Sequence, residues 1–380
     1  MGDHQARPAD IIVVGAGPAG CAAAFHLANR GRDVLIFDRE PAGRRKPCGG
    51  GMAASVQRWF PFDLSPAVDQ VIRDVRFTWT FEDPVQASLP GEAPFWIVRR
   101  SVLDTFLADQ AEKVGATIHT SRAIVSAQRR GDLWEVIDQH GVPWRTRSLL
   151  IADGSSSSLA SHLGLGPPRP RYASTLSVEV ECPIREQGMA YFDFGSVPQG
   201  FCWAFPRQDG YSIGLGTFIG QAQVDGEAVL QRLLPALGLT PDAGQRQASR
   251  LRVWDGHHPL DGDGVVVAGD AASLCDPFLA EGLRPSLMSG CKAAEALNSW
   301  LAGDPQALRA YTASMRRDWG ESMAWGKRIA QVFYRLPRVG YQLGLKRPTA
   351  PQRIAQILSG EMGYGDIAQR VIKRLLFQRG

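Results

Sequence analysis

The sequence predicts an α/β fold: a parallel-sheet domain interrupted by a β-sheet-rich insertion and followed by a C-terminal helical segment. Three observations lead there. A strand, glycine turn, helix and strand follow one another over residues 10–38, and the middle of the chain is rich in β-patterned residues. Buried-strand runs like those of the N-terminus then return near residue 265, before the chain turns helical.

Ile11–Val14 is a continuous apolar run, as expected of a strand in a parallel sheet covered on both faces. Gly15-Ala16-Gly17-Pro18-Ala19-Gly20 is the turn, the alanine-rich Cys21–Asn29 is a helix ending at Gly31, and Val34–Phe37 is the second strand. Val75-Arg76-Phe77-Thr78-Trp79-Thr80-Phe81 alternates as a strand does, and Glu82-Asp83-Pro84 carries a turn signal. Ser101–Val114 places Leu103, Phe106, Leu107 and Ala111 on one helical face. Strands are expected over Ala116–His119, Ala123–Gln128, Trp134–Asp138 and Ser148–Ile151. Ser174–Thr217 is strongly β and Gly226–Leu237 helical. Val265–Ala268 is a buried strand, Glu281–Leu301 a helix, and the chain is helical and basic from Pro305. Because the apolar runs return after the β-rich middle, the expected first domain is discontinuous, spanning 8–60, 96–168 and 255–302. Residues 61–95 and 169–254 form the β-rich domain, and 303–380 the basic helical segment.

With 380 residues, 44% hydrophobic and 21% charged, the chain has the composition of an ordinary soluble enzyme. No run approaches the roughly 20 apolar residues of a membrane-spanning helix. Ile11–Phe25 imitates a secretory signal, but the spacing of Gly15, Gly17 and Gly20 has a better explanation. The six cysteines include no C-x-x-C pair, which suits a cytoplasmic protein and argues against a disulfide framework or zinc knot. The seven histidines show no H-E-x-x-H arrangement, so no metal is expected, and no nucleic-acid partner either. Charge is unevenly placed: from Gly326 onward eleven Lys and Arg face only Glu361 and Asp366, while the whole chain carries just +4.

Gly15-x-Gly17-x-x-Gly20 follows a buried strand and opens a helix, and Asp38 stands 18 residues beyond Gly20 at the end of the next strand. Together these make a dinucleotide-binding (Rossmann) fingerprint. Gly15 permits the tight turn, Gly17 lets the backbone approach a pyrophosphate, and Gly20 lets helix and strand pack closely. The helix start offers N–H groups and positive dipole to phosphates, and Asp38 accepts from ribose hydroxyls.

Further along stand Arg100 with Asp104, Asp153-Gly154, and Gly269-Asp270 ahead of Pro277. In order and spacing these resemble the FAD-dependent group of aromatic-ring hydroxylases, halogenases and geranylgeranyl reductases. The resemblance implies a Rossmann-type FAD-binding domain, with Asp270 on the ribityl or pyrophosphate side of FAD. It implies Asp153 serving both FAD and NAD(P)H, and Arg100 contacting FAD. That group usually has serine then arginine after its Asp-Gly; here Ser155-Ser156-Ser157-Ser158 follows, leaving no arginine for that turn.

Lys46-Pro47-Cys48-Gly49-Gly50-Gly51 resembles a segment of the geranylgeranyl reductases, as does Pro198-Gln199-Gly200-Phe201-Cys202-Trp203-Ala204-Phe205-Pro206, where Phe201 replaces a tyrosine. Glu281-Gly282-Leu283-Arg284-Pro285 is similar to the glycine-rich turn that closes over flavin. The resemblance covers about residues 10 to 300. It marks Gly15 to Gly20, Asp38, Arg39, Cys48, Gly49, Gly50, Arg100, Asp153, Gly269, Asp270, Pro277, Gly282 and Leu283 as cofactor-binding. On their own, Phe201, Trp203 and Phe205 read as the core face of a strand. With Pro198 and Pro206 at the family's offsets they become the expected prenyl-binding wall.

The implied activity is saturation of isolated C=C bonds in a geranylgeranyl-type isoprenoid by hydride from reduced flavin. Only one full fingerprint is present, so NADPH or another electron donor acts transiently. The proton donor is open between Cys48, a thiol near Arg45 and Lys46, and a flavin-bound water. The glycines beside Cys48 are expected to lie against the flavin, where side chains would intrude. A flavin monooxygenase or halogenase of the same fold is the first alternative, and an FAD-bound electron or prenyl-lipid carrier the second. The basic, apolar 326–380 segment suits peripheral contact with an anionic membrane.

Overall fold

The computed structural model of the protein describes residues 7–92, 94–219, 223–347 and 349–377, with side chains up to residue 370. Its largest sheet is built on the parallel strands Val265–Val267, Pro143–Ile151, Ala9–Val14, Val34–Phe37 and Thr117–His119, in that spatial order. The short strand Asp261–Gly262 pairs antiparallel at one edge, and the hairpin Ile124–Arg130/Leu133–Asp138 hangs antiparallel from Pro143–Ile151. Ile11, Ile12 and Val13 are fully buried in the central strand, as their unbroken apolar run requires. Helices Pro18–Ala28 and Leu283–Leu301 cross at backbone contact. A Cβ on Gly290 would lie 2.2 Å from the Ala19 carbonyl oxygen, so only glycine permits the crossing.

The second sheet has seven strands, ordered Gln247–Val253, Arg171–Glu181, Gly210–Thr217, Gly200–Arg207, Met189–Phe194, Asp74–Trp79 and Glu82–Ser88. All neighbours are antiparallel except Met189–Phe194 and Asp74–Trp79. One face is covered by helix Gly226–Ala236, whose Val229, Leu230, Leu233 and Leu234 pack with Cys202, Ala204, Ile213 and Leu215. The other face carries Phe192, Phe201, Trp203 and Phe205 into the main core. A small sheet of Gly51–Ala53, Phe95–Val98 and Val68–Ile72 accompanies the two large ones.

One local expectation is corrected. Glu82-Asp83-Pro84 lies inside the strand Glu82–Ser88, and the chain reverses one step earlier, at Thr80-Phe81. Both turn residues have positive φ (50° and 65°), the geometry of a tight hairpin. The buried Asp193 carboxylate holds the turn, accepting from the Thr78 hydroxyl at 2.8 Å and the Phe81 N–H at 2.6 Å. Pro84 is tolerated because its strand is the sheet edge, where a missing N–H leaves no ladder bond unmade.

The C-terminal segment forms helices Ala307–Met315, Glu321–Arg335, Ala350–Leu358 and Tyr364–Phe377, joined by shorter turns. Three buried tyrosines tie it down. Tyr311 donates to the Val267 carbonyl (2.9 Å), Tyr341 to the carbonyls of Phe77 (3.1 Å) and Asp83 (2.6 Å), and Tyr364 to the Asp276 carboxylate (2.6 Å). The part of the expected membrane segment from residue 371 onward lies outside the described side chains.

Candidate functional site

A cavity of about 900 Å³ opens where the parallel strands end, passes the loop of residues 46–51, and reaches the aromatic face of the second sheet. Strand ends of this kind are where open α/β sheets bind ligands.

At the first end, Gly15 has φ +106°, and a Cβ there would lie 2.4 Å from the Ala152 carbonyl oxygen. Gly20 would meet the Gly15 carbonyl at 1.9 Å, so it serves the packing of helix on strand and not the cavity wall. A Cβ on Gly17 would meet only the Arg44 guanidinium, at 3.6 Å, so this face stays open to an approaching ligand. The Ala16 N–H donates to Asp38 Oδ2 at 2.7 Å, while Oδ1 accepts from the Glu40 N–H (2.8 Å) and Arg44 (3.0 Å). Pro18 and Ala19, at the helix start, line the cavity, as does Arg39, whose exposed side chain pairs with Glu40 at 3.5 Å. Arg44, which bridges the carboxylate to the open glycine face, has no place in the glycine fingerprint and went unrecognised in the sequence.

Beyond it, the Lys46 ammonium stands 3.6 Å from Asp270, beside Gly269 and Gly154. Burial, and then Arg100, hold the Lys46 pKa below its ordinary value, against the pull of Asp270. Arg100 is buried and forks onto Asp104 through two hydrogen bonds of 2.8 and 2.7 Å. Although burial disfavours its charge, Asp104 raises its pKa above the ordinary arginine value. Asp153 lines the cavity with its Oδ1 buried and unpartnered among the described residues, and burial raises its pKa against a Ser157 hydrogen bond. The serine turn after Asp153 does receive an arginine, from a distant strand. Arg252 donates to the carbonyls of Ser155 (2.8 Å), Ala271 (3.1 Å) and Ser157.

In the middle of the cavity Cys48 is half-buried, and its Sγ accepts the Gly50 N–H at 3.3 Å. Its carbonyl accepts from Arg207 and Ser212, both at 3.4 Å, which anchors the loop to the second sheet. The glycines have protein neighbours that already require them. A Cβ on Gly50 would lie 2.1 Å from the Val98 carbonyl, and one on Gly51 2.6 Å from the Phe95 ring. A Cβ on Gly49 would lie 3.1 Å from the Phe205 ring and 3.2 Å from the Trp203 indole nitrogen, tighter than an ordinary contact.

The far end is walled by Phe192, Phe201, Trp203 and Phe205. Phe192 lies 5.7 Å from Phe201 and 5.2 Å from Phe205, centroid to centroid. Trp203 pairs across the ladder with Gly214 and Phe201 with Gly216. A Cβ on Gly214 would fall 2.3 Å from the indole, so the ring lies flat where another residue's side chain would stand. The Trp203 Nε1 is buried without a hydrogen-bond partner among the described residues. Gly282 and Leu283 close the cavity from the start of helix Leu283–Leu301, together with Glu281. Ala16, Gly20 and Pro277 are not among the residues that line the cavity.

Residues 10–66 and 94–300 match the FAD dependent oxidoreductase family. The chain belongs to that family. This FAD dependent oxidoreductase is 27% identical to digeranylgeranylglycerophospholipid reductase 2 of Methanopyrus kandleri, over 96% of either chain. It is 28% identical to the geranylgeranyl diphosphate reductase of Rhodobacter capsulatus, over 82% of this chain and 81% of the other. Its fold is shared with a geranylgeranyl bacteriochlorophyll reductase-like protein from Thermoplasma acidophilum. The TM-score is 0.79 at 20% identity, over 93% of this chain and 92% of that one. The residues present fit the cofactor that names the family. The open face at Gly17, the cations Arg44 and Lys46, and the unpartnered Asp153 oxygen are the groups a dinucleotide would engage.

Proposed function

We propose that the protein is a reductase that saturates isolated C=C bonds of a geranylgeranyl-type isoprenoid. The observation that carries this is the continuity of one cavity, from a dinucleotide cradle to a wall of aromatic rings over a glycine floor. Bound FAD, once reduced, supplies the hydride. Asp38, Arg44 and the Lys46–Asp270 pair hold its polar portions, and the discontinuous domain 8–60, 96–168 and 255–302 carries them. Phe201, Trp203 and Phe205 take the isoprenoid, whose flat alkene units suit ring faces. The Cys48 thiol faces the reacting alkene and sets its register. NADPH or another donor reduces the flavin transiently.

Names given to the relatives support this substrate class above a monooxygenase or halogenase on the same fold. The test is anaerobic incubation of dithionite-reduced protein with geranylgeranyl diphosphate and with geranylgeranyl glycerolipid. Mass spectrometry should show two hydrogens gained per reduced double bond. Saturation of neither, with hydroxylated product or hydrogen peroxide formed in air, would establish the oxygenase reading instead.

Contact with an anionic membrane belongs to the same proposal. Val332, Leu336, Val339 and Leu343 are 75%, 62%, 49% and 56% exposed, four large apolar side chains within twelve residues. From Ser322 to Gly360 the chain has seven Lys and Arg and no Asp or Glu. Apolar insertion with cationic flanks matches a lipid surface. Phe333, beside Val332 in helix Glu321–Arg335, packs on Phe194 and Phe278, with ring centroids 5.3 and 5.4 Å away, and Phe194 in turn packs on Phe201 of the aromatic wall at 5.8 Å.

A further inference from the structure

Saturating an alkene requires a proton as well as a hydride, and the cavity holds an acid that the sequence did not reveal. Glu281 lines the cavity, with its side chain 7% exposed. Its Oε2 meets Arg284 at 2.7 Å, while Oε1 is buried without a well-formed hydrogen bond among the described residues, the Ala53 N–H being the backbone donor that approaches the carboxyl. Two backbone hydrogen bonds close the loop that carries it. The Asp276 N–H donates to the Glu281 carbonyl at 3.0 Å, the Ala280 N–H to the Asp276 carbonyl at 3.2 Å, and Ala280 has a left-handed backbone.

A second buried carboxyl stands close by. Asp276 accepts the N–H groups of Phe278 and Leu279 at 2.6 and 3.0 Å, and the Tyr364 hydroxyl at 2.6 Å. The other titratable groups around the pair are Tyr334, Cys275, Asp270 and Cys48. Two buried carboxyls therefore face one guanidinium, that of Arg284, and the arrangement favours retention of a proton. Burial pushes the Glu281 carboxyl up to about 7, with Asp276 adding to the effect and Arg284 opposing it.

We infer that Glu281 is the acid that protonates the alkene, at the carbon adjacent to the one that takes the hydride. This rests on the reductase reading above. The Glu281 O–H bond breaks, its proton forms the new C–H bond, and the hydride from the reduced cofactor completes the neighbouring carbon. The carboxylate left behind is paired with Arg284 and regains its proton from water. Acids of this kind work best when their pKa lies near the working pH.

The test measures single-turnover saturation by reduced holoenzyme across the neutral pH range, in wild type and in the Glu281→Gln, Glu281→Asp and Cys48→Ser variants. Wild type should slow as pH rises through about 7. Glu281→Gln should retain FAD, lose that limb and slow by at least ~100-fold. Glu281→Asp should keep a limb at reduced rate, and Cys48→Ser should keep the wild-type limb. On FAD-free protein, a protonated-carboxyl infrared band should fade over the same pH range in wild type and be missing in Glu281→Gln. Unchanged rate and limb in Glu281→Gln, or loss of the limb in Cys48→Ser alone, overturns the assignment. A wild type that saturates no alkene overturns the reductase reading and this step with it. An active wild type whose infrared band does not titrate overturns only the role of Glu281.

Discussion

Gly214→Ala tests the architecture of the aromatic wall without touching the dinucleotide cradle. The added methyl would lie 2.3 Å from Cζ2 of Trp203 and 2.8 Å from Cε2 and Cη2. To regain an ordinary carbon–carbon contact of ~3.5 Å, the indole must retreat by about 1 Å. Its movement is limited on the Nε1 side by Gly49, whose Cβ position lies 3.2 Å from that nitrogen. Overpacking of this kind costs roughly 1–3 kcal/mol. The urea midpoint should fall accordingly, at unchanged FAD content. Because the ring is driven into the cavity, KM for the proposed geranylgeranyl substrate should rise by about tenfold, which corresponds to ~1.4 kcal/mol. Gly344→Ala is the control. Its Cβ would meet nothing within 4 Å, and its φ is not positive, so it should stabilise by ~0.4–1 kcal/mol. Equal stabilities of Gly214→Ala and wild type, with KM unmoved, would refute the claim that the indole lies on a glycine floor.

Three further outcomes are expected. Arg100→Leu strands the buried Asp104 carboxylate and should destabilise the FAD-free protein by about 3–5 kcal/mol in denaturant titration, whereas Arg100→Leu with Asp104→Leu should recover most of the loss. Glu281, raised from the ordinary 4.5 to about 7, keeps its proton longer in the folded than in the unfolded state. Its contribution is therefore fully present below 4.5 and lost as pH rises through about 7, so Glu281→Gln should gain stability relative to wild type over that window, read from midpoints at stepped pH. Leu336→Glu with Leu343→Glu should abolish co-sedimentation with phosphatidylserine vesicles while leaving turnover of detergent-dispersed substrate intact; retained sedimentation would disprove the membrane surface.

Much of the fold was legible because it rests on local signals. The apolar run Ile11–Val14, the glycine turn and the strand Val34–Phe37 stand where their patterns place them. The hairpin at Thr80-Phe81 was not, because neither residue is a customary positive-φ residue and Asp193, more than a hundred positions away, holds the turn. In the site, the glycine fingerprint and Asp38 were legible for the same local reason. Arg252 and the glycine floor were not, since each matters only through a partner distant in sequence, and Arg44 and Glu281 were not, since their place in the cavity is set by burial that neighbouring residues do not encode.

The sequence by itself determined the glycine turn with Asp38 at the next strand end, the alternation that makes the aromatic wall and the basic charge of the C-terminal segment. Each depends on residue type at short spacing, and local stereochemistry converts such spacing into shape. Tertiary structure alone decided that cradle and wall share one cavity, that Gly49–Gly51 pack against protein, and that Arg252 fills the serine turn. It alone placed two buried carboxyls beside a single guanidinium. Burial is imposed by elements far apart in the chain even where the paired charges are close neighbours in it, and no short stretch encodes the water that folding removes.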